Sequence, residues 1–501
     1  MSSVSEGVSG RAAAGATLMI FSRLATRGID FATLVILGRL LSPADFGVVA
    51  VAMSVMLIVE AVSELPTMQA LMRAPALNET HFDTGFTFAI LRALALAIIL
   101  CGLAWPLAKL YRDHRLIGLL CTLWIAPASR SLGSPVFVEF FRSLNFRPVV
   151  AIEIAGKALA LVASVGLAWC TASYWSILAG TIIAPLSMAV ISYFVAPYRP
   201  RLSLAGWHEF SSFFGWTMAS QLVVAANWQM DRLALARFIN AMQLGRFSMA
   251  DTFANVPNQV VITQVVSPLM VAFSHIRGDA QRLAAAYRTS AVSMVAMGVP
   301  VMVGLSMLAE PVVRLVLGAP WLETAPILRW LSIALIPYFF VSPMAPLFMA
   351  MNRTRVFLQL STIEFILKLL LILPAAIYFG IPGVIVLRFV IALVVALCSM
   401  LAVSNLIGLP IIAQVASPWR PILSTMAMAL LIGCFRGWLA SLDGPLSLAL
   451  GLLVVVSLGG AVYSALVFLL WFFSGCPGGP EEKASALLSK YSSKFFVFLA
   501  R

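Results

Sequence analysis

Arg23, Arg27 and Asp30 stand four and three residues apart, the spacing that brings side chains onto one face of a helix. Their surroundings are apolar. A charge at mid-membrane costs roughly 2.5–3.5 kcal/mol, and such residues usually turn toward a bundle interior or a wet cavity. Charges and polar groups recur in this setting at Glu60 and Glu64, Arg92, Arg130 and Glu139, Asn227, Asp231 and Arg232, Asp251, and Arg388. Guanidinium grips phosphate through two parallel hydrogen bonds, so Arg23, Arg27, Arg92, Arg130, Arg232 and Arg388 are candidate ligands for an anion. Asp30, Glu60, Asp231 and Asp251 are candidates for ion coupling, because buried carboxylates readily shift pKa, or for plain charge pairing. Glu153 with Lys157, and Glu364 with Lys368, have the Glu-to-Lys i,i+4 order that pairs along one helix, and read as structural struts.

Residues for other chemistry are sparse. No Gly-rich phosphate loop of the Walker type occurs, so nucleotide hydrolysis has no address in the chain. His81, His114, His208 and His275 fall far apart in loops, and the six cysteines are scattered without paired spacing. Neither a metal site, a cofactor nor a disulfide framework is expected. No loop exceeds about twenty-five residues, which disfavours a membrane polymerase or ligase needing an extramembrane domain.

The elements that must carry the charges follow from composition. The chain has 501 residues, 61% hydrophobic and 11% charged, with a mean hydropathy of +0.99. Apolar runs long enough to cross a bilayer recur throughout, so the fold class is an all-α polytopic membrane protein. About fourteen spans are expected, near 14–38, 45–65, 84–106, 117–138, 149–170, 174–195, 211–236, 245–270, 289–310, 327–350, 358–378, 381–405, 419–440 and 446–473. Pro127, Pro185, Pro268, Pro300, Pro337 and Pro343 fall inside spans and are candidate bends.

The spans divide through an internal repeat. "LGRLLSPADFGVVAVA" (37–52) is echoed by "LARFINAMQLGRFSMA" (235–250), matching Arg39 to Arg237, Ser42 to Asn240, Asp45 to Gln243, Gly47 to Gly245 and Ala52 to Ala250. Ser42 and Asn240 suit helix N-caps, Pro43 the first helical position, and Asp45 and Gln243 the third. A second echo sets Arg142, Glu153 and Lys157 against Arg353, Glu364 and Lys368. Two matches in one order point to a duplication. The expected organisation is a polar N-terminal segment (1–13), a six-helix lobe (14–195), a linker (196–210), a second six-helix lobe (211–405), an extra helix pair (419–473) and a tail (474–501). The two pseudo-symmetric lobes would face a central cavity. Opposite Arg23 and Arg27 the second copy has Gln221 and Ala225, so the cationic face of the first helix is unmatched.

The net charge of +13 follows largely from a positive-inside bias and from Arg within spans, so no nucleic-acid role is inferred. Arg73, Arg142, Arg147, Arg199, Arg201, Arg277, Arg282, Arg288, Arg353, Arg355 and Arg420, with Lys483, Lys490, Lys494 and Arg501 of the tail, place both termini in the cytoplasm.

"LGRLLSPADFGVVA", "DRLALARFINAMQLGRFSMA" and "VVSPLMVAFSHIRGDAQRLAAAYR" together resemble the polysaccharide-transport family, the Wzx-type flippases of the MOP superfamily, over about residues 12–405. The subgroup serving exopolysaccharide and colanic-acid-like polymers is the nearest in character. The resemblance implies two six-helix lobes and a substrate, undecaprenyl-pyrophosphate-linked oligosaccharide, moved from the cytoplasmic to the periplasmic leaflet of the bacterial inner membrane. It also implies a cationic cavity holding the pyrophosphate, for which Arg23, Arg27 and Arg92 are the counterparts. Membrane lipids, and a polysaccharide polymerase or export complex, are the implied partners. A multidrug exporter of the same superfamily is the rival reading; it would favour an acid-lined pocket for organic cations.

Overall fold

The computed structural model describes residues 2–63, 78–203, 205, 216–476, 479 and 481–482, and within them every regular element is a helix. Glu64, Arg73, His208, the end of the expected linker, and the tail charges Lys483, Lys490, Lys494 and Arg501 lie outside the described residues. Among the described residues nine helices are long and apolar enough to cross a membrane, and one bent helix pair is apolar enough to count as a tenth if it forms a single span. The chain divides into two compact units, Met1–Gly245 and Arg246–Arg501.

The first unit comprises α1 (Ser2–Leu40), α2 (Pro43–Val62), α3 (Glu79–Tyr111), α4 (Arg115–Leu123), α5 (Ile125–Ser131), α6 (Val138–Arg142), α7 (Arg147–Thr171), α8 (Trp175–Val195) and α9 (Trp216–Ala236). It closes inside α10 (Ala241–His275). Helix α1 begins well before the span expected at residue 14. The α7–α8 hairpin packs tightly, α1 lies along α7, and α9 lies along α2. That last packing carries the compact unit past the linker expected at 196–210.

The repeated corner forms as its residues require. Ser42 caps α2 in a full capping box, its Oγ accepting from Asp45 N while Asp45 accepts from Ser42 N, and Pro43 takes the first turn. At the second copy Gln243 N donates to Asn240 Oδ1 at 2.8 Å. The expected fourth span is bent by 50° between α4–α5 and the segment ending in α6.

The second unit continues with α11 (Ala280–Met307), α12 (Ala309–Val316), α13 (Thr324–Ala334), α14 (Ile336–Val341), α15 (Met344–Ala350), α16 (Thr354–Ile407), α17 (Ile411–Ala416), α18 (Trp419–Ala440) and α19 (Pro445–Phe473). Pro337 and Pro343 sit where α13, α14 and α15 break from one another, as a proline without an N–H donor would impose. Pro185 and Pro300, by contrast, ride inside continuous helices. The 54-residue α16 is two arms joined at Gly380, whose φ of 58° and ψ of −140° are non-helical. Leu360 of one arm and Val403 of the other share one buried cluster with Phe273, Tyr287 and Phe348, so the arms fold back on each other. The extra pair α18–α19 packs on α11 and α12 through Leu308, Met428, Ile432 and Val455, and Tyr463 OH donates to Ala296 O at 2.6 Å.

Candidate functional site: arginines and carboxylates within the spans

In the first unit, Glu60 of α2, Arg92 of α3 and Arg130 of α5 converge. Arg130 Nη2 donates to Glu60 Oε2 at 3.0 Å. Arg92 Nη2 stands 4.0 Å from Glu60 Oε1, and its Nη1 donates to Ser131 Oγ at 2.8 Å. Two guanidiniums therefore share one carboxylate. The burial is uneven: the Arg92 side chain is 12% exposed and Glu60 15%, whereas Arg130 is 50% exposed. A desolvated pair thus anchors a third group that is open to a ligand.

Helix α1 carries the next part. Its Ser22 and Thr26 are buried, Ser22 Oγ donating across to Glu153 Oε2 of α7 at 2.7 Å. Arg23 and Arg27, one step further around the helix, are exposed. Two turns below Ser22, Lys157 Nζ donates to Asp30 Oδ1 at 2.5 Å. The Glu153–Lys157 pair expected along one helix is therefore corrected: the two residues make separate bridges from α7 to α1. Tight packing of α1 on α7 brings interhelical partners nearer than the i+4 neighbour. Glu139 is exposed on α6, and Asp231 and Asn227 are buried on α9 with Arg232 beside them.

The second unit keeps the other expected strut. Lys368 Nζ lies 3.4 Å from Glu364 Oε1, both mostly buried, and Tyr338 OH donates to Glu364 at 2.9 Å. Asp251 of α10 meets Arg388 of α16 at 2.7 Å, with side chains 9% and 11% exposed. Asn255 Nδ2 donates to the same Asp251 Oδ1 at 2.9 Å. Arg388 thus has a tight carboxylate partner.

Sequence reasoning missed two relationships. Tyr198 OH donates to the buried Asp83 of α3 at 2.5 Å, and Ser203 N to Thr87 Oγ1 at 2.9 Å, so the segment after α8 is tied down along α3. Burial and that carboxylate both push the Tyr198 phenol above its ordinary pKa. Ser54 of α2 donates to Gln229 of α9 at 3.0 Å. Asp83 was the available signal, an acid at the mouth of an apolar run in "HFDTGF".

A family described as polysaccharide biosynthesis protein matches residues 36–326. The chain belongs to this family. Succinoglycan biosynthesis transport protein ExoT of Rhizobium meliloti (strain 1021) is 28% identical over 317 residues, covering 63% of this chain and 64% of that protein, less than two thirds of its length. Lipopolysaccharide biosynthesis protein WzxC of Escherichia coli (strain K12) is 23% identical over 367 residues, 70% of this chain and 72% of that one. Among solved structures, the lipid II flippase MurJ in an inward closed conformation superposes with a TM-score of 0.69 at 16% identity, over 91% of this chain and 98% of that one. An inward-facing multidrug resistance MATE family transporter of the MOP superfamily reaches 0.56, also at 16% identity, over 75% and 94%. The family member described here therefore has the helical transporter fold of that superfamily.

Proposed function

We propose that this protein is a flippase that moves undecaprenyl-pyrophosphate-linked oligosaccharide across the bacterial inner membrane for exopolysaccharide or lipopolysaccharide assembly. The observation that carries the reading is the cluster of Arg92 and Arg130 around the single carboxylate of Glu60, together with the exposed Arg23 and Arg27 of α1. A diphosphate and its sugars cannot enter hydrocarbon unaided, because each polar group stripped of water costs several kcal/mol. The guanidiniums of Arg92 and Arg130 replace that water for the diphosphate, while the prenyl chain stays in lipid. The succinoglycan and lipopolysaccharide relatives, and the MurJ-like fold, support the same substrate class.

Transport then proceeds by alternating access, both termini facing the cytoplasm, with the glycolipid's head group released on the far leaflet to a polymerase or export complex. A proton or sodium gradient would act through one of Asp30, Glu60 or Asp231, Asp251 being held by Arg388 at 2.7 Å. Transport in vesicles that persisted after both gradients were collapsed would exclude that coupling. The test of the main reading is polymer output in cells carrying Arg23→Ala with Arg27→Ala, and separately Arg130→Ala. Output should fall at least about tenfold at equal protein level, with the lipid-linked oligosaccharide retained on the cytoplasmic leaflet. Normal output would refute the reading. Hypersensitivity of a deletion strain to cationic drugs, with polymer unaffected, would support the multidrug exporter instead.

A further inference from the structure

Helix α10 carries a second polar feature that the diphosphate does not explain. Ser248, Asp251, Asn255 and Asn258 recur at three, four and three residues, so they form one stripe along the helix. Ser248, Asp251 and Asn255 are each more than nine-tenths buried. The stripe carries unpaired polar atoms: Ser248 Oγ, Asn255 Oδ1 and Asn258 Oδ1 are all shielded and have no hydrogen-bond partner among the described residues. Asn255 is not misplaced, since its Nδ2 donates to both the Asp251 carbonyl at 2.8 Å and the Asp251 carboxylate at 2.9 Å, which aims Oδ1 the other way. Buried polar atoms are nearly always paired, so several orphans on one helix face call for a ligand.

The chemistry of that ligand is constrained. The amide oxygens of Asn255 and Asn258 only accept and so need donors, which a diphosphate at neutral pH does not offer, while the Ser248 hydroxyl can donate or accept. A bound cation is disfavoured twice. Arg388 already occupies the Asp251 carboxylate at 2.7 Å. Ser248 and Asn258 are also ten residues apart, about 15 Å along the helix, far beyond one coordination sphere of about 2.3–2.6 Å. A chain of sugar rings meets both conditions, because it presents O–H donors repeatedly over that length. We propose that the α10 stripe is the glycan-reading surface of the carrier, binding hydroxyls of the oligosaccharide, whereas Arg92 and Arg130 serve the diphosphate. The proposal rests on the flippase reading above. The stripe is covered in this structure, so it engages substrate in a state in which α10 is uncovered.

The test uses the full-length protein in nanodiscs and two probes. One is the glycolipid fraction that accumulates in cells lacking the protein, and the other is undecaprenyl diphosphate without sugar. Wild-type protein should bind the glycolipid about tenfold more tightly, as expected for a few added hydrogen bonds. Ser248→Ala combined with Asn258→Leu should reduce that preference to within about twofold and leave the affinity for the bare lipid unchanged. These two substitutions remove oxygens that accept no hydrogen bond, so the melting temperature should stay level or rise. Retention of the full preference in the double variant overturns the proposal. So does a lowered melting temperature with the preference intact, which would make the stripe structural, its acceptors met by water. A sodium-dependent stabilisation of wild type that the variant loses would assign the stripe to a cation and also overturn it. Failure of wild type to bind either lipid would instead bring down the flippase reading on which the proposal stands.

Discussion

Gly47 and Gly245 meet backbone to backbone where α2 and α10 begin, each at the same place in its copy of the repeated corner. A Cβ on Gly47 would enter the carbonyl of Ala241, and one on Gly245 would enter the carbonyl of Pro43; each would stand 3.0 Å from the other glycine's nitrogen. The obstruction is backbone, which cannot rotate aside. Gly47→Ala and Gly245→Ala should therefore each cost about 1–3 kcal/mol, as overpacked contacts do. Both should lower the melting temperature in detergent and reduce polymer output. Two variants melting like wild type would mean that the crossing is loose.

Glu60 holds two guanidiniums, so neutralising it should leave them to the substrate. Glu60→Gln is expected to tighten binding of undecaprenyl diphosphate about fivefold or more, and Arg130→Ala to weaken it by a similar factor. Turnover should fall in both variants, from slow release in the first and poor capture in the second. Equal affinities in a binding titration would remove Glu60 from the site.

Asp251 and Arg388 form a buried pair, and breaking one partner strands the other. Arg388→Met or Asp251→Leu alone should destabilise by about 3–5 kcal/mol, while the two together should recover most of the loss. Reversible unfolding in micelles measures the cycle. Additive losses would show that the partners do not interact.

Asp113 lies between α3 and α4, outside the spans. Burial works to raise its pKa, but side-chain and backbone hydrogen bonds from Arg115 outweigh burial and hold the carboxyl below its ordinary value. A depressed folded-state pKa stabilises fully above the unfolded value, near 4, and that contribution is lost as pH falls through the lower folded value. The pair is partly exposed, so the gain is at most about 1 kcal/mol. Asp113→Asn should therefore melt slightly earlier than wild type at pH 7, and the gap should shrink below about pH 4. A gap independent of pH would place the effect elsewhere.

Much of the fold was legible because it rests on local rules. Ser42, Pro43 and Asp45 state a helix start in any context, and Asn240 repeats it with different letters. The Glu364–Lys368 strut was readable for the same reason, its partners lying one turn apart. Glu153 and Lys157 have the same spacing and went elsewhere, because partner choice depends on how closely α1 approaches α7, which no local pattern encodes. The convergence of Glu60, Arg92 and Arg130 was half legible. Each residue was out of place in an apolar run, but their meeting joins α2, α3 and α5 across seventy positions of chain. The orphaned oxygens of α10 were illegible, since an unsatisfied acceptor is defined by what surrounds it.

Gly380 turns α16 back on itself with a single residue, in a backbone conformation that other amino acids seldom adopt. The connection is a single residue long, and Ile377, Tyr378 and Phe379 beside it are 55%, 77% and 70% exposed. With no spare chain between the arms, neither can slide along the other without parting the cluster that Leu360 and Val403 share.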